Sequence, residues 1–201
     1  MKHSLDDKKE MILARQRIFA EELGRRVLFK PQLHVWMILI PIIFVFYLQD
    51  LMKYKNGRRE FADNFLLSHF KALNEAADAL AAGREPDAEA IARQSGLQSE
   101  AEGEYAHYLQ MLIEHYHRLL QAEGNDYEAL IRAAYDNNHS NFLLYINQLH
   151  QAEVGLNRAL SPELHTGKEG AENVTQVITR IEAEANRLRR REAEEIFRSN
   201  R

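Results

Sequence analysis

Residues 35–48 read V-W-M-I-L-I-P-I-I-F-V-F-Y-L, fourteen consecutive positions without a charge, and nothing comparable recurs in the chain. A helix at the surface of a soluble protein keeps a polar face, whereas this segment is apolar all round. Extended to Leu33 and Met52 it spans a length of about 30 Å as a helix, the thickness of a bilayer's hydrocarbon core. Its ends carry membrane-interface signals. Trp36 lies near one end and Tyr47 and Tyr54 near the other, with Arg25, Arg26 and Lys30 before the run and Lys53, Lys55, Arg58 and Arg59 after it. The residues expected to meet lipid are Val35, Trp36, Ile38, Leu39, Pro41, Ile43, Phe44, Phe46, Tyr47 and Leu48.

Pro41 stands in the middle of the run and removes a backbone hydrogen bond, which costs about 3 kcal/mol in a soluble helix. The Leu, Ile, Phe and Val side chains of 35–48 together favour insertion by about 3 to 6 kcal/mol, so insertion wins with a kink. Three topologies follow: a single kinked span, a re-entrant hairpin with Pro41 at its bottom, or a buried helix of a soluble core. Lys and Arg within about twenty residues of the run are equally numerous on both sides, so the positive-inside rule does not choose between them. Some thirty charged and amphipathic residues come first and no A-x-A-like site follows, so a cleaved signal peptide is not expected.

Charge divides the chain at the same place. Residues 1–53 hold nine Lys/Arg against six Asp/Glu, and residues 54–201 hold seventeen against twenty-four. An acidic body argues against nucleic-acid binding, which needs surplus cations on one face, and the basic front suits an anionic membrane surface. The body is expected on the cytoplasmic side, and the absence of cysteine fits a reducing compartment.

The rest of the sequence reads as helices, so the fold class is all-α: an amphipathic N-terminal helix, one Pro-kinked membrane segment, and an acidic helical bundle ending in a long helix. The expected parts are a basic amphipathic helix within 1–32, the membrane segment 33–53, a helical body 54–160, a loop 161–170 and a C-terminal amphipathic helix within 171–201. Met11, Ile12, Ile18, Phe19, Leu23 and Val27 recur at helical steps in the first of these, which can lie in the headgroup plane or pack on the body. In the body, Gly83, Gly96 and Gly124 stop helices and Asp126 starts one. In the last part Val174, Ile178, Ile181, Ala185 and Leu188 form a narrow seam, a candidate surface for an unidentified protein partner or a second copy of the chain. The run Arg187, Arg189, Arg190 and Arg191, interleaved with glutamates, reads as a solvated face.

Candidate chemistry is sparse. Glu104-x-x-His107 and Glu114-x-x-His117 have the spacing by which helical bundles hold paired iron or manganese ions. On a wheel of 100° per residue, however, Glu104, His107, Glu114 and His117 fall away from the arc of Leu109, Leu112, Tyr116 and Leu119, and both pairs lie on one helix. No metal or other cofactor is expected. His69 falls on an apolar face and reads as a hydrogen-bonded interior histidine. Asp87 to Leu97, followed by a helix, resembles the middle of a helix-turn-helix. The helix that would enter the groove begins with Glu100, Glu102 and Glu104, which would repel a polyanion. Nucleophile and phosphate-loop motifs are absent from the sequence. The expected function is therefore a membrane-anchored helical interaction or scaffold protein without catalytic activity. A metal-binding bundle enzyme and a membrane-associated helix-turn-helix regulator are the alternatives.

Overall fold

The computed structural model describes residues 4–27, 57–164 and 171–198, with side chains for 4–27, 65–160 and 176–198. The described chain is all-α: α1 (Leu5–Val27), α2 (Gly57–Ala82), α3 (Ala88–Arg93), α4 (Ser99–Gln121), α5 (Tyr127–Ala134), α6 (His139–Leu164) and α7 (Ala171–Arg198). Among the described residues no helix is long and apolar enough to cross a membrane, and the apolar segment 33–53 lies outside them.

Local signals set the boundaries. Asp87 and Asp126 are N-caps whose carboxylates accept from the amides of Ala90 and Ala129, each satisfying an otherwise unpaired first-turn donor. Gly83 follows α2 with φ +62°, a left-handed stop at which a side chain would be strained. Gly124 has a different task. A Cβ there would stand 2.8 Å from the Leu130 amide nitrogen and 2.9 Å from the Ala129 carbonyl carbon, so the turn between α4 and α5 closes only on glycine.

The long helices close into a ring: α1 packs on α2 and α7, α2 on α4, α4 on α6, and α6 on α7. Helix α3 lies on α4, and α5 lies between α4 and α7. Two paired sets of contacts fix directions. Glu104 meets Gly155 while His115 stacks on Tyr145, and Asn157 meets Glu182 while Phe142 meets Phe197, so α6 runs antiparallel to both α4 and α7.

This arrangement chooses between the two placements expected for the N-terminal helix and corrects one further expectation. The helix packs on the body, with Ile12, Ala20, Leu23 and Val27 buried against it. The C-terminal seam is likewise closed within the chain: Ala185 and Leu188 are buried with Ala20, Leu23, Val27 and Phe65, while Ile181 packs on that cluster and Ile178 on the larger core. Ala185 and Leu188 are spent on the protein's own interior, Ile178 and Ile181 are half-buried against it, and the Val174 side chain lies outside the described ones. Helices α1 and α7 are thus walls of the bundle that residues 54–160 alone leave open.

Candidate functional site

The interior of the ring is polar along one line. Four buried residues there carry polar groups, Ser68 and His69 on α2, His115 on α4 and Arg189 on α7, and tyrosines from α4, α5 and α6 meet them. His69 Nδ1 lies 2.6 Å from the Tyr116 hydroxyl and its Nε2 3.5 Å from that of Tyr108. A neutral imidazole carries one donor and one acceptor, and two hydroxyls, each able to do either, satisfy both. His115 Nδ1 lies 2.7 Å from the Tyr135 hydroxyl, and its ring stacks on Tyr145 at 4.3 Å between centroids.

Arg189 crosses this interior. Its guanidinium makes a bidentate pair with Glu153 of α6, two contacts of 2.6 Å, and lies 5.3 Å from the centroid of the Phe19 ring on α1. Burial works against its charge, but the Glu153 carboxylate outweighs this and holds the guanidinium above its ordinary pKa. One helix turn further, Glu192 meets Arg15 Nε at 2.6 Å, with its carboxyl raised because burial outweighs the arginine. A cavity of about 30 Å³, the size of one water molecule, lies among His69, His115, Tyr116, Tyr145, Arg189 and Glu192.

Burial disfavours the charged forms of these histidines and tyrosines. Burial, helped by Arg189 at His69 and by Arg118 and Arg189 at His115, lowers both histidines to about 3. Burial likewise raises the phenols of Tyr108, Tyr116 and Tyr127 well above their usual value. A general base needs a pKa near the working pH, and no histidine of this interior has one. The cluster therefore specifies how the five long helices meet.

A second concavity opens to solvent beside it. A pocket of about 280 Å³ lies between the second half of α4, the α5–α6 corner and the first half of α6. His115 and Tyr145 line both this pocket and the interior cavity, so their stacked rings form the wall between the two.

The metal-ligand candidates do not converge. Glu104 lies against α6, its Oε2 2.6 Å from where a Cβ on Gly155 would be. His107 and Glu114 are exposed, Glu114 accepting from Gln110 Nε2 at 2.8 Å, and His117 is half-buried. Among the described residues no group of three or more His, Asp or Glu could hold a metal ion. The segment resembling a helix-turn-helix does form a short helix, a turn at Gly96 with φ +71°, and then α4. But α4 is the central helix, flanked by α2, α3 and α6 and burying residues from Ala101 to Leu120, and its exposed stripe carries His107, Glu114 and Arg118.

Sequence reasoning placed His69 correctly and missed His115 and Arg189. On the α4 wheel His115 falls within about 20° of Tyr108, at the edge of the apolar arc, and that proximity was its only signal. Arg189 was grouped with its solvated neighbours, yet it stands four residues after Ala185 and seven before Ile196, both buried. That spacing puts it on the inner face of α7 and corrects the reading of residues 187–191 as uniformly solvated. Arg187, Arg190 and Arg191 are exposed as expected. No protein-family profile, curated protein or solved structure matches this chain.

Proposed function

We propose that this protein is a non-catalytic, membrane-anchored helical interaction protein whose segment 33–53 enters the bilayer as a re-entrant hairpin. The observation that carries the reading is where the described chain leaves and rejoins the bundle. Val27, the last residue of α1, is buried in one cluster with Phe65 of α2, and the Phe19 and Phe65 rings stack at 5.8 Å. Helix α2 begins at Gly57, about 12 Å of helix before Phe65. A single span would separate its two flanks by the whole hydrocarbon core, about 30 Å, while these flanks are held together by the packing of α1 on α2.

The sequence agrees with a hairpin on three counts. Pro41 stands near the middle of 28–56, where a chain reversal needs a break. Within 33–53 the arms on its two sides would be about 12 and 18 Å as helices, enough to enter the hydrocarbon and too short to cross it. The equal basic flanks carry no preference for opposite faces, which leaves room for both ends on one. Anchored in this way, the bundle lies at the headgroup surface, and confinement there raises its effective concentration toward membrane partners.

The test uses the absence of native cysteine. One cysteine is introduced at Ser4 or at Ser199 and intact cells are labelled with an impermeant maleimide, followed by carbonate extraction. The reading expects equal labelling at the two sites and a chain that stays with the membrane. Labelling at one site only would establish a span and overturn the hairpin. Release into the carbonate supernatant would overturn the anchor itself.

A further inference from the structure

The solvent-facing pocket has a feature that the packing of the bundle does not account for. Its floor is formed by the rings of His115, Tyr135 and Tyr145, and its mouth by Glu114, Arg118 and Asp136. Glu114 and Arg118 stand four residues apart on α4 with the acid first, the arrangement that favours an ion pair on a helix. Of the other acid-first pairs at this spacing, Glu22–Arg26, Glu89–Arg93 and Glu128–Arg132 are closed, at 2.7, 3.3 and 3.7 Å, while Glu21–Arg25 is open, with Arg25 Nε turned to the Glu21 carbonyl. Glu114 instead takes its hydrogen bond from Gln110, and the Arg118 guanidinium is drawn over the Tyr135 ring, 5.8 Å from its centroid. Asp136, at the α5–α6 corner, has no ion-pair partner among the described residues. The pocket is thus edged by one cation and two carboxylates, all three exposed and none in an ion pair with another. Beside them Leu144 is 56% exposed, the most exposed large apolar side chain among the described residues.

We propose that this pocket binds a compact zwitterion of the α-amino-acid class, its carboxylate on Arg118, its ammonium between Glu114 and Asp136, and an apolar or aromatic side chain against Tyr135, Tyr145 and Leu144. A simple anion would meet two carboxylates, and a simple cation would meet the guanidinium. Only a ligand bearing both charges satisfies the mouth without leaving one of them opposed. The volume, about 280 Å³, lies at the small end of ligand pockets and suits a molecule of this size. The amides of Asn141 and Gln148 complete the lining with neutral donors and acceptors. This inference is independent of the membrane anchor and stands or falls separately from it.

The test is calorimetric titration of the purified full chain with three probes: L-phenylalanine, L-phenylalaninamide, which lacks the carboxylate, and N-acetyl-L-phenylalanine, which lacks the ammonium. The expected result is binding of phenylalanine with each derivative at least tenfold weaker. Arg118→Gln should weaken phenylalanine tenfold or more and leave the amide unchanged. Asp136→Asn should lower the penalty for N-acetylation, and it keeps the proposal testable if the arginine variant does not fold. Absence of phenylalanine binding at millimolar concentration would overturn the proposal. Equal affinity for the three probes, or an unchanged phenylalanine affinity in a folded Arg118→Gln protein, would do so as well.

Discussion

Replacing Glu153 by glutamine tests the claim that a buried ion pair joins α6 to α7. Arg189 is 7% exposed, and both of its terminal nitrogens are held by the Glu153 carboxylate at 2.6 Å. Glutamine keeps the shape and one acceptor but removes the countercharge, and a guanidinium cannot relieve the loss by giving up its proton. Breaking one side of a buried pair costs about 3 to 5 kcal/mol. For a chain of 201 residues each kcal/mol lowers the melting temperature by about 2 to 4 °C, so Glu153→Gln should lower it by about 6 to 20 °C. Arg189→Met should cost less, because the carboxylate left behind can take up a proton, and its deficit should shrink as the pH is lowered. The double variant Glu153→Leu with Arg189→Met should recover most of the loss, since a well-packed apolar pair often replaces a buried ionic one at little cost. Differential scanning calorimetry of the full chain in nanodiscs provides the measurement. A loss below 1 kcal/mol for Glu153→Gln, or a larger loss for Arg189→Met at neutral pH, would refute the argument by showing that water reaches the guanidinium.

The remaining expectations concern acid and glycine. His69 and His115 are held near 3 in the folded protein against about 6.5 unfolded, so the stability they lend is complete above pH 6.5 and drains away as the pH falls toward 3. Each should cost about 1.4 kcal/mol per pH unit across that window, and a series of urea melts should show the slope halved in His115→Gln; an unchanged slope would mean that the ring protonates in place. Gly124→Ala should lower stability by about 1 to 3 kcal/mol, because its Cβ would collide with the backbone of Ala129 and Leu130. Gly103→Ala, inside α4 with nothing within 4 Å of the new methyl, should raise stability by about 0.5 to 1 kcal/mol; chemical denaturation of the two variants should show opposite signs.

How much could be read in advance depended on the range of the forces involved. Helix identity and ends were legible because capping and left-handed stops act within a turn: Gly83, Gly96 and Asp126 do their work on residues three or four away. The inner face of α7 was legible at Ala185 and Leu188, but not what it packs on, because a seam with a 3–4 spacing has the same appearance whether it faces a partner or the protein's own α1. The pocket lies between the consecutive helices α4, α5 and α6, and it exists only once the α5–α6 corner folds back on α4, so no local pattern marks it. The open Glu114–Arg118 pair is a case in point, since its sequence spacing is that of the closed pairs.

By itself the sequence determined an all-helical chain with one uncharged apolar run and the places where most of its helices begin and stop, because periodicity and caps are local properties. Tertiary structure decided which charges are buried. Arg189 becomes an interior residue only because Glu153 and Phe19, distant in sequence, surround it and compensate its lost hydration. Tertiary structure also brought Val27 beside Phe65, and so fixed the two ends between which the apolar run must lie. That juxtaposition depends on the burial of apolar surface between α1 and α2, to which every residue of the interface contributes and which no single stretch of sequence contains.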